Sequence, residues 1–248
     1  MINIINKNLP KLLLLATSLS LLACGKSEID SSDYFPLKPG KVWVYEVDTE
    51  MKDPEIHPTI TLSTDRKINF DGETTWVRRS ADGVEYYIRK DESGIYRVAS
   101  RLDNQEQALL DPARRYIFKN PIQIGTSWEA LTVPYLIRHP NAFPYHLKNS
   151  HKAIMTYRIE ALNQEVEVPY GKFTDCIHVQ GKATIKIFTD PVYGFNDVPL
   201  ISNEYYCKGI GLVKFDREET VPGSTTTGLG VGNSMTGGKL TYYLTGVK

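Results

Sequence analysis

Thr74-Thr-Trp-Val-Arg-Arg79, Ala81-Asp-Gly83, Val84-Glu-Tyr-Tyr-Ile-Arg89, Asp91-Glu-Ser-Gly94, Ile95-Tyr-Arg-Val-Ala99 is the stretch that decides the fold class. Apolar and aromatic residues recur at every second position, and Asp-Gly and Ser-Gly pairs punctuate them. Side chains change face at each step along a strand, so this period marks half-buried strands, and the glycine pairs mark hairpin turns. An antiparallel meander is expected. Upstream, Lys41-Val-Trp-Val-Tyr-Glu-Val47 sets Val42, Val44 and Glu46 on one face and Trp43, Tyr45 and Val47 on the other. Pro58 to Phe70 reads as a further strand, ending at Asp71-Gly72.

Downstream the period fails between Arg101 and Arg115, where Leu102, Ala108, Leu109 and Leu110 fit one short helix within a loop, stopped by Pro112. It returns as a short strand near Trp128. From His151 to Gln164, Ile154, Thr156, Arg158 and Glu160 alternate with Met155, Tyr157 and Ile159. Pro169-Tyr-Gly171 turns the chain into Phe173 to Phe188. Ser202 to Cys207 runs into a break at Gly209 and Gly211, followed by strands at Leu212–Arg217 and Leu240–Leu244. Two segments depart from the pattern. Pro134 to Lys148 is rich in proline and aromatics and too long for a hairpin loop, which predicts a lid-like insertion with Tyr135, Phe143 and Tyr145 as candidate ligand contacts. Residues 222–238 are rich in Gly, Ser and Thr and predict a flexible loop. Residues 34–248 are therefore expected to form a single all-β domain, a strongly curved antiparallel sheet or open half-barrel.

The N-terminus carries an address. Lys7 and Lys11 precede an apolar run, Leu12 to Leu22, and no acid occurs before Glu28. Such a run matches the roughly 7–15 residues of a signal peptide rather than the about 20 of a membrane-spanning helix. Leu21-Leu22-Ala23-Cys24-Gly25 resembles the lipobox of bacterial lipoproteins. That resemblance implies a signal peptide over 1–23, diacylglycerol on Cys24 and a further acyl chain such as palmitate on its new amine. It also implies a membrane as partner through that lipid. Gly25, where an aspartate favours inner-membrane retention in enterobacteria, points to the outer membrane facing the periplasm. Residues 24–33 are polar and expected as a lipidated tether.

The mature chain would carry 27 basic against 29 acidic residues, since the 29 of each in the full chain lose only Lys7 and Lys11. With no clustered basic surface, nucleic acid is excluded as a partner. Arg78-Arg79 and Arg114-Arg115 read as solvated faces or local ion-pair partners. Beyond Cys24, Cys176 and Cys207 remain; an even pair in an oxidising compartment favours a disulfide, with buried thiols or half a metal site left open.

Three segments together resemble a known group. Asp33-Tyr-Phe-Pro-Leu-Lys-Pro-Gly-Lys-Val-Trp-Val-Tyr45, Val168-Pro-Tyr-Gly-Lys-Phe-Thr-Asp-Cys-Ile-His-Val179 and Tyr205-Tyr-Cys-Lys-Gly-Ile-Gly-Leu-Val-Lys214 are similar to the patterned segments of TapB-like bacterial envelope lipoproteins. The resemblance implies a curved half-barrel like that of periplasmic lipid binders and supplies no catalytic residue. Cys207 departs from the group's usual small residue, which pairing with Cys176 would explain.

Chemistry-bearing motifs are scarce. His57, His139, His146, His151 and His178 show no metal-ligand spacing, and neither CxxC, HExxH nor Gly-x-Ser-x-Gly occurs. Gly228-Leu-Gly-Val-Gly-Asn-Ser234 lacks the ending of a phosphate loop. Glu165, Glu167, Glu218 and Glu219 read as solvated strand ends. The expectation is a protein without cofactor, metal or catalytic residues that binds an apolar small molecule or an envelope protein. The alternative is a structural or assembly lipoprotein with a solid core. An apolar cavity of about 300 Å³ or more would favour the first, and a filled core with an exposed apolar patch the second.

Overall fold

The computed structural model describes residues 29–49, 58–137, 151–190, 194–221 and 236–248. The signal peptide, Cys24, Phe143, Tyr145 and most of the expected 222–238 loop lie outside these residues.

A short helix, α1 (Ser31–Tyr34), precedes β1 (Val42–Thr49), β2 (Thr59–Phe70), β3 (Glu73–Ser80), β4 (Glu85–Asp91), β5 (Gly94–Arg101) and β6 (Leu109–Lys119). The second half holds β7 (Ser127–Thr132), β8 (Ala153–Val168), β9 (Gly171–Asp190), β10 (Gly194–Cys207), β11 (Gly211–Glu219) and β12 (Gly238–Val247). All twelve strands join one antiparallel sheet in the order β6-β5-β4-β3-β2-β1-β12-β11-β10-β9-β8-β7. The two halves are thus meanders, and β1 pairs with β12 to join them.

The sheet curls until its ends, β6 and β7, face each other across one seam. Ladder hydrogen bonds do not close this seam; side chains bridge it. The Trp128 indole N–H donates to the Tyr116 carbonyl at 3.1 Å, and the Arg115 guanidinium donates to the Leu131 carbonyl. Register shifts at Val44/Tyr45, Thr64/Arg66, Tyr87/Ile88 and Tyr205/Tyr206 supply bends, because an extra residue on one strand increases local twist. The alternation of β1 is as read: Trp43 and Tyr45 are buried, and Glu46 is exposed. In β8, Met155 and Ile159 point inward while Ile154 stays exposed.

Two expectations need correction. The helix proposed within Arg101–Arg115 is instead the start of β6, where Leu109 and Leu110 pair with Ser100 and Ala99. Pro112 ends no helix; it lies in a bulge between the Ala99–Leu110 and Arg97–Arg115 pairs, where a missing N–H costs no ladder bond. The tether, expected to reach Asp33, gives way to folded chain earlier. Asp30 caps α1 by accepting from the Ser32 N–H at 2.9 Å, and Lys90 binds Asp30 at 2.8 Å. That lysine, with the cap hydrogen bonds, lowers the Asp30 pKa to about 2.

Residues 30–37 close one end of the barrel. Tyr34, Phe35 and Leu37 are buried, and the Tyr34 hydroxyl donates to Asp175 at 2.6 Å. The Gly209 N–H donates to the Asp33 carbonyl. Gly211 has φ +103°, and a Cβ there would come within 3.3 Å of Pro36, so the glycine break serves both the turn and this close approach. Cys176 and Cys207 are directly opposed in the β9–β10 ladder, with Cα atoms 4.0 Å apart, and are joined by a disulfide.

Candidate functional site

The barrel is not filled. An interior cavity of about 220 Å³ is lined by Tyr45 of β1, Leu62 of β2, Arg78 of β3, Tyr86 and Ile88 of β4 and Arg97 of β5. The far wall carries Arg115 and Ile117 of β6, Ala130 of β7, Tyr157 of β8, Glu204 and Tyr206 of β10 and Leu212 of β11, with Phe35 after α1. Strands from both meanders contribute, so the cavity lies within the curl of the sheet. It is smaller than the 300 Å³ set out above, and its lining is charged as well as apolar.

Arg78 is 8% exposed, and its guanidinium lies 3.9 Å from the Phe35 ring centroid and 4.5 Å from that of Trp43. One Nη donates to the Pro36 carbonyl at 2.9 Å and reaches Thr64 at 3.4 Å. Its Nε–H is buried without a partner. Desolvation lowers the Arg78 pKa to about 10, which leaves the group charged at neutral pH. Flat faces against aromatic rings suit a guanidinium, which is more weakly hydrated than an ammonium. The expectation of a solvated arginine here is therefore wrong. Trp76, Arg78, Tyr86 and Ile88 share the inner face, since Trp76 pairs with Ile88 and Arg78 with Tyr86.

Arg97 is neutralised by two hydrogen bonds to Asp111, at 2.7 and 2.6 Å. Arg115, directly opposite Arg97 in the ladder, has the Leu131 carbonyl as its acceptor and no carboxylate partner among the described residues. Glu204 accepts from the Tyr206 hydroxyl and from Ser202, both on its own face of β10. The surface that Glu204 keeps faces the cavity, and desolvation raises its pKa despite these hydrogen bonds. Burial likewise pushes Tyr157 up to about 12.

A second buried cluster fixes the entry to the 134–148 segment. Glu219 is fully buried, which corrects its reading as a solvated strand end. It accepts from the backbone N–H groups of Tyr135, Leu136 and Ile137 at 3.0, 2.8 and 3.2 Å, and from Arg217 Nε at 2.9 Å. Successive N–H groups converging on one carboxylate form an anion nest. Tyr135, a candidate ligand contact, lies 5.2 Å from the Arg217 guanidinium and does not line the cavity. Among the described residues, no group of three His, Cys, Asp or Glu is arranged to hold a metal.

No family model and no curated protein matches the chain. Two solved structures are similar in backbone course. One is a Bacteroides fragilis protein described as exported, with a YmcC-like fold: 12% identity, 87% of this chain and 98% of the other covered, TM-score 0.35. The other is a Parabacteroides distasonis protein described as a lipoprotein: 13% identity, 89% and 100% covered, TM-score 0.37. At these values the likeness bears on neither ligand nor activity.

Proposed function

We propose that this chain is a non-catalytic, TapB-like envelope lipoprotein, anchored through Cys24 in the outer membrane and facing the periplasm, whose barrel interior binds a small molecule. The observation that carries the reading is the cavity of about 220 Å³ walled by strands of both meanders. Arg78 lines that space with the little surface it keeps. A core built only for stability would fill the space, because close packing is the norm in protein interiors. Native mass spectrometry of residues 25–248, taken from the periplasm without detergent, tests it. A retained small molecule at one per chain is expected; a clean apo mass after gentle isolation would count against it.

A second reading, docking on an envelope protein, draws on one feature. Phe188 and Phe195 pair at 5.4 Å and remain 48% and 69% exposed at the β9–β10 hairpin end. β10 runs roughly 40 Å from there to the end closed by α1, at about 3.3 Å per residue. A tether entering α1 would hold this hairpin away from the membrane.

A further inference from the structure

The charges around the cavity do not balance. Arg78, Arg97 and Arg115 line it, against Glu204 as the one lining acid, and only Arg97 has its own carboxylate, Asp111. Among the described residues neither Arg78 nor Arg115 pairs with an acid. Arg78 is buried and Arg115 half-buried; a buried guanidinium such as Arg78 normally has such a partner, because an uncompensated charge in a low-dielectric interior is costly. Counting Asp111, the surroundings hold three cations against two acids at most. The rest of the lining is apolar or aromatic, with Leu62, Ile88, Ile117 and Leu212 among it.

We propose that the cavity is a site for a small organic carboxylate, its charged end held by Arg78 and Arg115 and its apolar body lying against Leu62, Ile88 and Ile117. This deepens the reading above and rests on it. The ligand brings the anion that the wall lacks. Since a cavity of about 150 Å³ takes benzene, this one has room for about nine heavy atoms, a ring or short chain with a carboxylate. Long acyl chains are too large to enter whole.

The test compares octanoate, 1-octanol and hexyl phosphate by calorimetry on the chain from Gly25 onward, which contains every described element. Octanoate should bind at least about tenfold more tightly than 1-octanol, the gain expected from hydrogen bonds to charged donors. Arg115→Gln should cut octanoate affinity by about tenfold and leave 1-octanol unchanged. Arg115 is the residue to change because Arg78 also packs between two rings, and its loss could disturb the fold. Ala130→Leu, which places three carbons in the cavity, should weaken both ligands. Equal affinity for octanoate and 1-octanol, or hexyl phosphate as the tightest, overturns the carboxylate site while leaving the ligand-binding reading intact. If none of the three binds, and a clean apo mass is found for the protein from the periplasm, both fall.

Discussion

Glu219 and Arg217 are 0% and 2% exposed, and the pair holds the backbone of residues 135–137 against the barrel wall. Glu219→Ala removes the acceptor of three N–H groups and leaves the Arg217 charge buried without a counter-ion. Breaking one side of such a pair costs about 3–5 kcal/mol. The freed N–H groups can turn to water as the segment detaches, so the ion-pair figure is taken as the whole cost. For a domain of this size each kcal/mol moves Tm by about 2–4 °C, so a drop of about 6–20 °C is expected. Replacing both partners with apolar residues, Arg217→Met with Glu219→Leu, removes the uncompensated charge and should recover most of the loss. Thermal unfolding by near-UV circular dichroism of the single and double variants measures both effects. A loss below about 1 kcal/mol for Glu219→Ala would refute the reasoning, as would a double variant no more stable than the single one.

Cys176→Ser with Cys207→Ser, opening a loop of 31 residues, should cost about 3–4 kcal/mol in the chain-entropy model and show as an earlier denaturant midpoint. Glu204→Gln should stabilise the fold above the ordinary glutamate range and have little effect below it. The raised pKa means that wild-type stability is fullest below the unfolded value and falls as pH rises towards the folded one. Denaturant titrations of both proteins from pH 4 to pH 8 test that sign; equal slopes would contradict it. Cys24→Ala should abolish labelling by radioactive palmitate and move the protein from the membrane to the soluble fraction.

Much of the architecture is legible in the sequence because the strands are half-buried, and burial on one face imposes the period of two. Trp43 and Tyr45 against Glu46 show it in the first strand, and Met155 and Ile159 against Ile154 in the eighth. The Leu109–Leu110 segment was not legible. Its leucines are 60% and 66% exposed, so adjacent apolar residues there reflect neither face, and Pro112 masks a strand by sitting in a bulge. The cavity was half legible. Trp76 and Arg78 alternate correctly towards the interior, as do Arg217 and Glu219, but a charged residue on an inward face looks in sequence like solvent exposure. Only the third dimension brings Phe35, Trp43 and Arg78 together, from a turn and two non-adjacent strands.

The central claim is that the barrel interior is a ligand site with its anionic end at Arg78 and Arg115. Diffraction from crystals soaked in 4-bromobenzoate, recorded at the bromine absorption edge, tests it most directly. The account predicts one anomalous peak inside the barrel, near Leu62, Ile88 and Ile117, with carboxylate density on the Arg78 and Arg115 guanidinium groups. An empty interior, or bromine found only on the outer surface, would contradict it.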